Sequence, residues 1–212
     1  MVEINSSFHR AHRPSTYARW AVETPPHFRF SAKLPKTITH TRRLVDADAP
    51  LDAFLAEAAG LGDKLSVLLV QLPPSLAFDS GVAARFFAAT SERTRVPVAC
   101  EPRHATWFGA EAEALLAEAG VARVAADPAV VPEAAVPGGA RELAYHRLHG
   151  SPRTYYSSYP PETITRMAKR LREDAAEGRE AWCIFDNTAA GAAARNALDL
   201  LAAVGDGANP TD

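Results

Sequence analysis

Residues 65–72, LSVLLVQL, decide the fold class. The run is apolar except at Ser66 and Gln71, and it is strand length rather than helix length. Apolarity without alternation marks a strand covered on both faces, as in a parallel sheet flanked by helices. Similar short runs stand at 2–5, 28–34, 96–101, 121–126, 143–148 and 181–185.

Between the runs the periodicity becomes helical. Residues 14–23 begin with Pro14, whose missing N–H costs nothing in a first turn. Residues 51–61 place Leu51, Phe54, Leu55 and Ala58 at helical spacing and stop before Gly62. Residues 81–92 and 110–119 follow the same logic, with Gly120 capping the second. Residues 163–177 offer Ile164, Met167, Ala168 and Leu171 for burial, and their basic residues read as a solvated face because Glu173, Asp174 and Glu177 lie close by. Residues 190–204 form a last, Ala-rich amphipathic helix.

Such alternation predicts parallel strands joined by helical crossovers. The irregular stretch DPAVVPEAAVPGGARE (127–142) is the one break. A doubly wound sheet and a (β/α) barrel both fit seven strands and six helices. A complete eightfold barrel needs about 250 residues, so a chain of 212 is roughly one βα unit short. One domain over 1–204 is expected, with a disordered tail, GDGANPTD, over 205–212.

Bulk properties remove several function classes. Acids and bases nearly cancel, 25 against 23, so no overall field favours nucleic acid or an anionic membrane. No apolar run approaches the roughly 20 residues that span a bilayer, and the start lacks the long apolar core of a signal peptide. Cys100 and Cys183 sit inside apolar runs and read as buried thiols of a reducing compartment. A cytoplasmic location is the resulting expectation.

Chemistry concentrates where the apolar runs end. Glu3 and Asn5 alternate on the first run, and Arg29, Ser31 and Lys33 alternate in FRFSAKLP. Gln71 closes LLVQLPP, Glu101 and then Arg103 close VACEPRHATWF, and Asp127 ends its own run. Arg147 and His149 share a side of YHRLHG, while Asp186 and Asn187 end CIFDN. In parallel α/β folds the carboxyl ends of strands share one rim, where ligands bind. The sequence thus proposes one pocket holding acids, cations, a histidine and amides.

Plainer readings exist for single residues. Glu101 with Arg103 also fits an ion pair bracing a loop, and His149 before Gly150 fits a backbone hydrogen bond. Trp107 and Phe108 read as a packing lid, and Tyr155, Tyr156 and Tyr159 as either a mobile aromatic loop or plain surface. Lys33 is harder to explain structurally, because a pocketed amine costs desolvation without a partner. No phosphate-binding Gly-rich loop, HExxH or paired CxxC occurs. A metal set drawn from Glu3, Glu101, His104, His149 and Asp186 would face Lys33, Arg103 and Arg147, which repel a cation. Neither a metal nor another cofactor is therefore expected.

VEINSSF, TPPHFRFSAKLPKTITHTRRL, LLVQLPP, CEPRHATWF, YHRLHG and FDNTAAGAAARNALDL, in this order, resemble the YecE-like family, also called domain of unknown function seventy-two. The resemblance runs from Val2 to about Val204. It implies a TIM-barrel-like fold, and it implies that Glu3, Asn5, Lys33, His40, Gln71, Glu101, Arg103, Trp107, His149, Asp186 and Asn187 match the family's characteristic positions. It brings no settled activity. Two departures stand out: HGSPRTYY inserts Ser151 and Pro152 before Arg153, and the family's usual first strand and helix do not precede VEINSSF. The expectation is a seven-stranded, incomplete barrel.

The leading functional expectation is acid–base chemistry on a small polar, anionic substrate. Glu101, His149 and Glu3 would be catalytic. Asn5, Lys33, His40, Gln71, Arg103, Trp107, Arg147, Asp186 and Asn187 would bind the substrate. Alternatives are a barrel that binds nucleic acid or processes phosphodiesters, and an inactive shortened copy. An open strand edge would also allow pairing with another chain.

Overall fold

In the computed structural model, which describes residues 1–206, every predicted strand forms. Strands β1 (Val2–Ile4), β2 (Phe30–Lys33), β3 (Leu65–Gln71), β4 (Val98–Glu101) and β5 (Val121–Arg123) pair in sequence order, all parallel. The predicted strand 121–126 divides at Val124, whose N–H donates to Cys100 O at 2.8 Å. Its second half, β6 (Ala125–Asp127), turns to the other side and pairs with a later strand. That partner is β8 (Leu143–Leu148), which in turn pairs with β9 (Glu180–Phe185); both ladders are parallel. The switch at Val124 links the two ladders into one lateral order. Among the described residues no ladder joins β9 to β1.

The crossovers are α1 (Pro14–Glu23), α2 (Asp48–Ala58), α3 (Ser80–Arg93), α4 (Ala110–Glu118) and α5 (Pro161–Ala176), and α6 (Ala192–Asp206) follows β9. Helix α2 ends earlier than its apolar spacing predicts. A 3-10 turn, Ala59–Lys64, takes over, and Gly62 accepts the φ of 55° that an L side chain disfavours. The predicted tail begins inside α6, which continues to Asp206; the rest of it, 207–212, lies outside the described residues. The irregular stretch holds a two-residue strand, β7 (Gly138–Gly139), antiparallel to β5. Buried Arg123 secures it, with Nε 2.7 Å from Glu113 Oε2 and Nη1 2.9 Å from Glu133 O.

Side-chain parity sorts the sheet into two faces. Ile4, Phe30, Ala32, Leu68, Val70 and Cys100 point outward and pack with Tyr17, Phe54, Phe86 and Leu116 of the helices. Val67, Leu69, Ala99, Ala122, Val124, Leu143, Tyr145, Trp182 and Ile184 point inward and form a second core. Burying one such aliphatic side chain contributes about 1.5–3 kcal/mol, so both faces of the sheet are held. The sheet curls strongly: Glu3 of β1 reaches Tyr145 and Arg147 of β8, although those strands share no ladder. Cys100 and Cys183 carry free thiols, and burial pushes both pKa values up. No helix among the described residues is long and apolar enough to cross a membrane.

Candidate functional site

The inward face changes character toward the carboxyl ends of its strands. Along β8 the inward positions run Leu143, Tyr145, Arg147 and then His149, from apolar to charged. Glu3, Ser31, Lys33, Gln71, Glu101 and Asp186 occupy the corresponding places on β1, β2, β3, β4 and just past β9. Parallel pairing brings them to the same end of the sheet in successive layers: Glu3 stands beside Ser31, Lys33 beside Leu69, and Gln71 beside Glu101.

Arg147 is the hub and is fully buried. Its Nε and Nη2 grip Glu3 at 3.1 and 2.7 Å in a two-pronged pair, its Nη1 donates to Glu101 Oε2, and its Nη2 lies 3.2 Å from Asp186 Oδ2. A planar guanidinium suits this fork geometry where an ammonium would not. Tyr145 completes the Glu3 pocket, its hydroxyl 2.8 Å from Glu3 Oε2 and 2.9 Å from Ser31 Oγ. Burial works against ionised Glu101, but Arg147, the His149 hydrogen bond and Arg103 overcome it and hold the carboxyl far below the usual range.

His149 lies between two carboxylates, with Nε2 2.8 Å from Glu101 Oε1 and Nδ1 3.1 Å from Asp186 Oδ2. Burial disfavours the charged ring, yet the hydrogen bonds to Asp186 and Glu101 outweigh it and raise the pKa. The imidazolium form donates from both nitrogens, matching both acceptors. Arg103 Nη2, 2.9 Å from the same Glu101 Oε1, then sits 3.0 Å from His149 Nε2 as a second donor on one acceptor. Asp186 and Arg103 are the partly exposed members of the group, their side chains 17% and 19% accessible. Burial raises the Asp186 pKa, while His149 and Arg147 lower it to a net depression.

Lys33 differs from these cations. Its Nζ lies 4.2 Å from the centre of the Phe8 ring, and among the described residues no carboxylate is within ion-pairing distance of it. Burial and Arg147 bring its pKa down to about 8, against the opposing pull of Glu3, Glu101 and Asp186. His40 also packs edge-on with Phe8, ring centres 4.9 Å apart, with Nδ1 2.8 Å from Thr39 Oγ1. Burial, Lys33, Lys36 and Arg103 lower its pKa. Asn5 Nδ2 is 3.5 Å from Asp186 Oδ1. Asn5 Oδ1 and Arg103 Nε are buried without hydrogen-bond partners among the described residues.

The rim thus gathers Glu3, Asn5, Lys33, His40, Gln71, Glu101, Arg103, Arg147, His149 and Asp186. Trp107 and Asn187 are committed elsewhere. Trp107 is 1% exposed, donates from Nε1 to Leu76 O at 2.9 Å and packs on Phe78, so it is a packing residue in this fold. Asn187 donates to Ser157 O and Asn196 Oδ1, both at 2.9 Å, bracing the loop after β8. Arg147 is fully buried and gives four of its five N–H donors to carboxylates. Arg29, expected beside Ser31 and Lys33, precedes β2 and bonds Pro26 O and Phe28 O. His104 is drawn to Thr106. Tyr145 and Phe8 escaped the sequence reading, although the alternation Tyr145–Arg147–His149 marks the tyrosine. Tyr159 is buried, with its hydroxyl on Asp127 and accepting from Gly150 N. Tyr155 stands at φ 70°, its ring 6.0 Å from that of His149.

The chain is 32% identical over 72 residues to the UPF0759 protein YecE of Escherichia coli, a stretch covering 34% of this chain and 26% of that protein. The matched part therefore spans about a quarter of that relative. A crystal structure of a DUF72 family protein from Enterococcus faecalis superposes with a TM-score of 0.82 at 20% identity, covering 100% of this chain and 86% of that one. One from Thermotoga maritima gives 0.77 at 23% identity, covering 95% and 83%. These likenesses show a shared fold. The family model described as protein of unknown function DUF72 matches residues 1–211, and the chain belongs to that family.

Proposed function

We propose that the curled sheet is a TIM-barrel-like (β/α) fold with seven strands in its wall. The carboxyl ends of those strands would hold a small polar anion and move a proton on it. Charge balance is the observation that carries the reading. Glu3, Glu101 and Asp186 are engaged by Arg147, Arg103 and His149, which leaves Lys33 as the rim cation without a carboxylate partner among the described residues. A desolvated, unmatched cation favours an anion beside it. The orphan N–H of Arg103 adds a donor that lacks an acceptor.

In this reading Arg103 and Lys33 bind the anion, and the His149–Asp186 pair moves the proton at the open side. Glu101 and Glu3, both locked by Arg147, frame the site; a carboxyl held as far down as that of Glu101 is a poor base near neutrality. Titration with inorganic phosphate, followed by thermal unfolding, tests the binding step. The wild type should gain stability, and Lys33→Met and Arg103→Met should each lose most of that gain. Equal gains in all three proteins would refute the assignment.

A further inference from the structure

We propose that Lys33 is an amine nucleophile that forms an imine with a carbonyl compound bearing a carboxylate or phosphate group. The inference rests on the anion site above and names the substrate class for it. The chain's lysines are Lys33, Lys36, Lys64 and Lys169, and their surroundings differ in kind. Lys64 Nζ donates to Ala21 O and Thr24 O at 2.6 and 2.7 Å. Lys169 lies 3.7 Å from Glu173 on an exposed helix face. Lys36 is exposed. Lys33 alone ends a strand on the inward face, half-buried and over an aromatic ring, without a hydrogen-bond acceptor among the described residues.

Each neighbour suits the chemistry. Ser7 Oγ donates to Lys33 O at 2.7 Å and fixes the backbone from which the amine extends. The Phe8 face excludes water from one side of Nζ. Arg103, whose buried Nε has no hydrogen-bond partner among the described residues, offers a donor to an anionic substituent. Burial keeps an appreciable fraction of the amine neutral at pH 7. The neutral nitrogen attacks the carbonyl carbon, forming a C–N bond while the C=O pair moves to oxygen and takes a proton. The nitrogen, now cationic, releases one proton. Its lone pair then expels the hydroxyl as water, with a second proton added to that oxygen, and loss of the last N–H proton leaves the neutral imine. His149 and Asp186 supply and recover these protons. The product is an imine plus water, and no oxidant or reductant is needed.

Glyoxylate, a small anionic aldehyde, is the probe, and cyanoborohydride reduces any imine to a stable secondary amine that peptide mass mapping locates. At pH 7 an amine of pKa about 8 has on the order of a hundredfold more free base than an ordinary lysine. Part of that advantage is lost to weaker basicity, so Lys33 should be labelled roughly tenfold faster than Lys36 or Lys169. Lys33→Arg should lose the fast phase while keeping its fold. Labelling of Lys33 no faster than of Lys36 and Lys169 would overturn the proposal. An equal preference for Lys33 with neutral formaldehyde would overturn the anionic part of the substrate class. Phosphate stabilisation that persists without selective labelling would sink the imine and leave the anion site standing; loss of both would sink the two together.

Discussion

His146 and His149 stand three residues apart and face opposite sides of the same wall. Both are almost fully buried, and both place a ring nitrogen on an aspartate: His146 Nε2 is 2.8 Å from Asp174 Oδ2, and His149 Nδ1 is 3.1 Å from Asp186 Oδ2. Burial lowers both pKa values first. For His146 it wins, because Asp174 stands alone and is shared with Arg170 and Arg179, each 3.6 Å from its other oxygen. For His149 it loses, because Glu101 supplies a second acceptor. Similar burial and similar hydrogen bonds thus shift the two rings in opposite directions. What decides is how many carboxylates remain uncompensated around the ring.

The sharpest way to break this contrast is to remove the second acceptor. Glu101→Gln keeps the shape and deletes the charge facing Arg147, Arg103 and His149. Stripping one partner from a buried ion-pair network costs about 3–5 kcal/mol, so the urea midpoint should fall well below that of the wild type. The His149 pKa should drop toward the behaviour of His146 in a ring-proton titration by NMR. A His149 pKa unmoved by the substitution would show that Asp186 alone sustains it.

The reciprocal change on the outer face should be milder. Asp174→Asn retains a polar group near His146 and removes the charge that Arg170 and Arg179 share. Loss of a hydrogen bond to a charged group costs about 1.5–3 kcal/mol, and His146 should titrate lower still. A fall in stability as large as that from Glu101→Gln would mean that the outer pair belongs to the same network as the rim.

The sequence exposes the inner site far better than the outer pair, for a physical reason. A run such as LSVLLVQL demands cover on both faces, and a charged residue at its end signals a place where cover stops. Glu3, Lys33, Glu101, Arg147, His149 and Asp186 all announce themselves in that way, and parity alone puts them on one side. Nothing local says that Arg147 would be consumed by three carboxylates, or that Trp107 would spend its N–H on Leu76 O. Those outcomes depend on the curl that brings β1 to β8, a long-range relation invisible in either strand. Asp174 was legible only as one acid among the charges of α5. Its burial against His146 follows from which turn of the helix meets β8. The division of residues 121–127 at Val124 is similar, since nothing in VARVAAD says that its hydrogen bonds change partners there.

The smallest effect, and the most direct use of the contrast, is the pH dependence of stability. A raised pKa in the folded state means that His149 binds its proton more tightly there than in the unfolded chain. Its contribution is fully present below the ordinary value of about 6.5 and is lost as pH rises through the raised pKa. His146 has the opposite sign. Its lowered pKa contributes stability above about 6.5 that is lost as pH falls through the lowered value. Urea midpoints of the wild type, His149→Gln and His146→Gln, measured from pH 5 to 9, separate the two. Relative to wild type, the His149 variant should be penalised more at the acid end, because it forgoes a contribution that exists there and fades toward alkaline pH. The His146 variant should show the mirror pattern, its penalty growing as pH rises past 6.5. Penalties that track pH in the same direction for both would mean that the two pKa values shift the same way, and that counting carboxylates does not explain the wall's two faces.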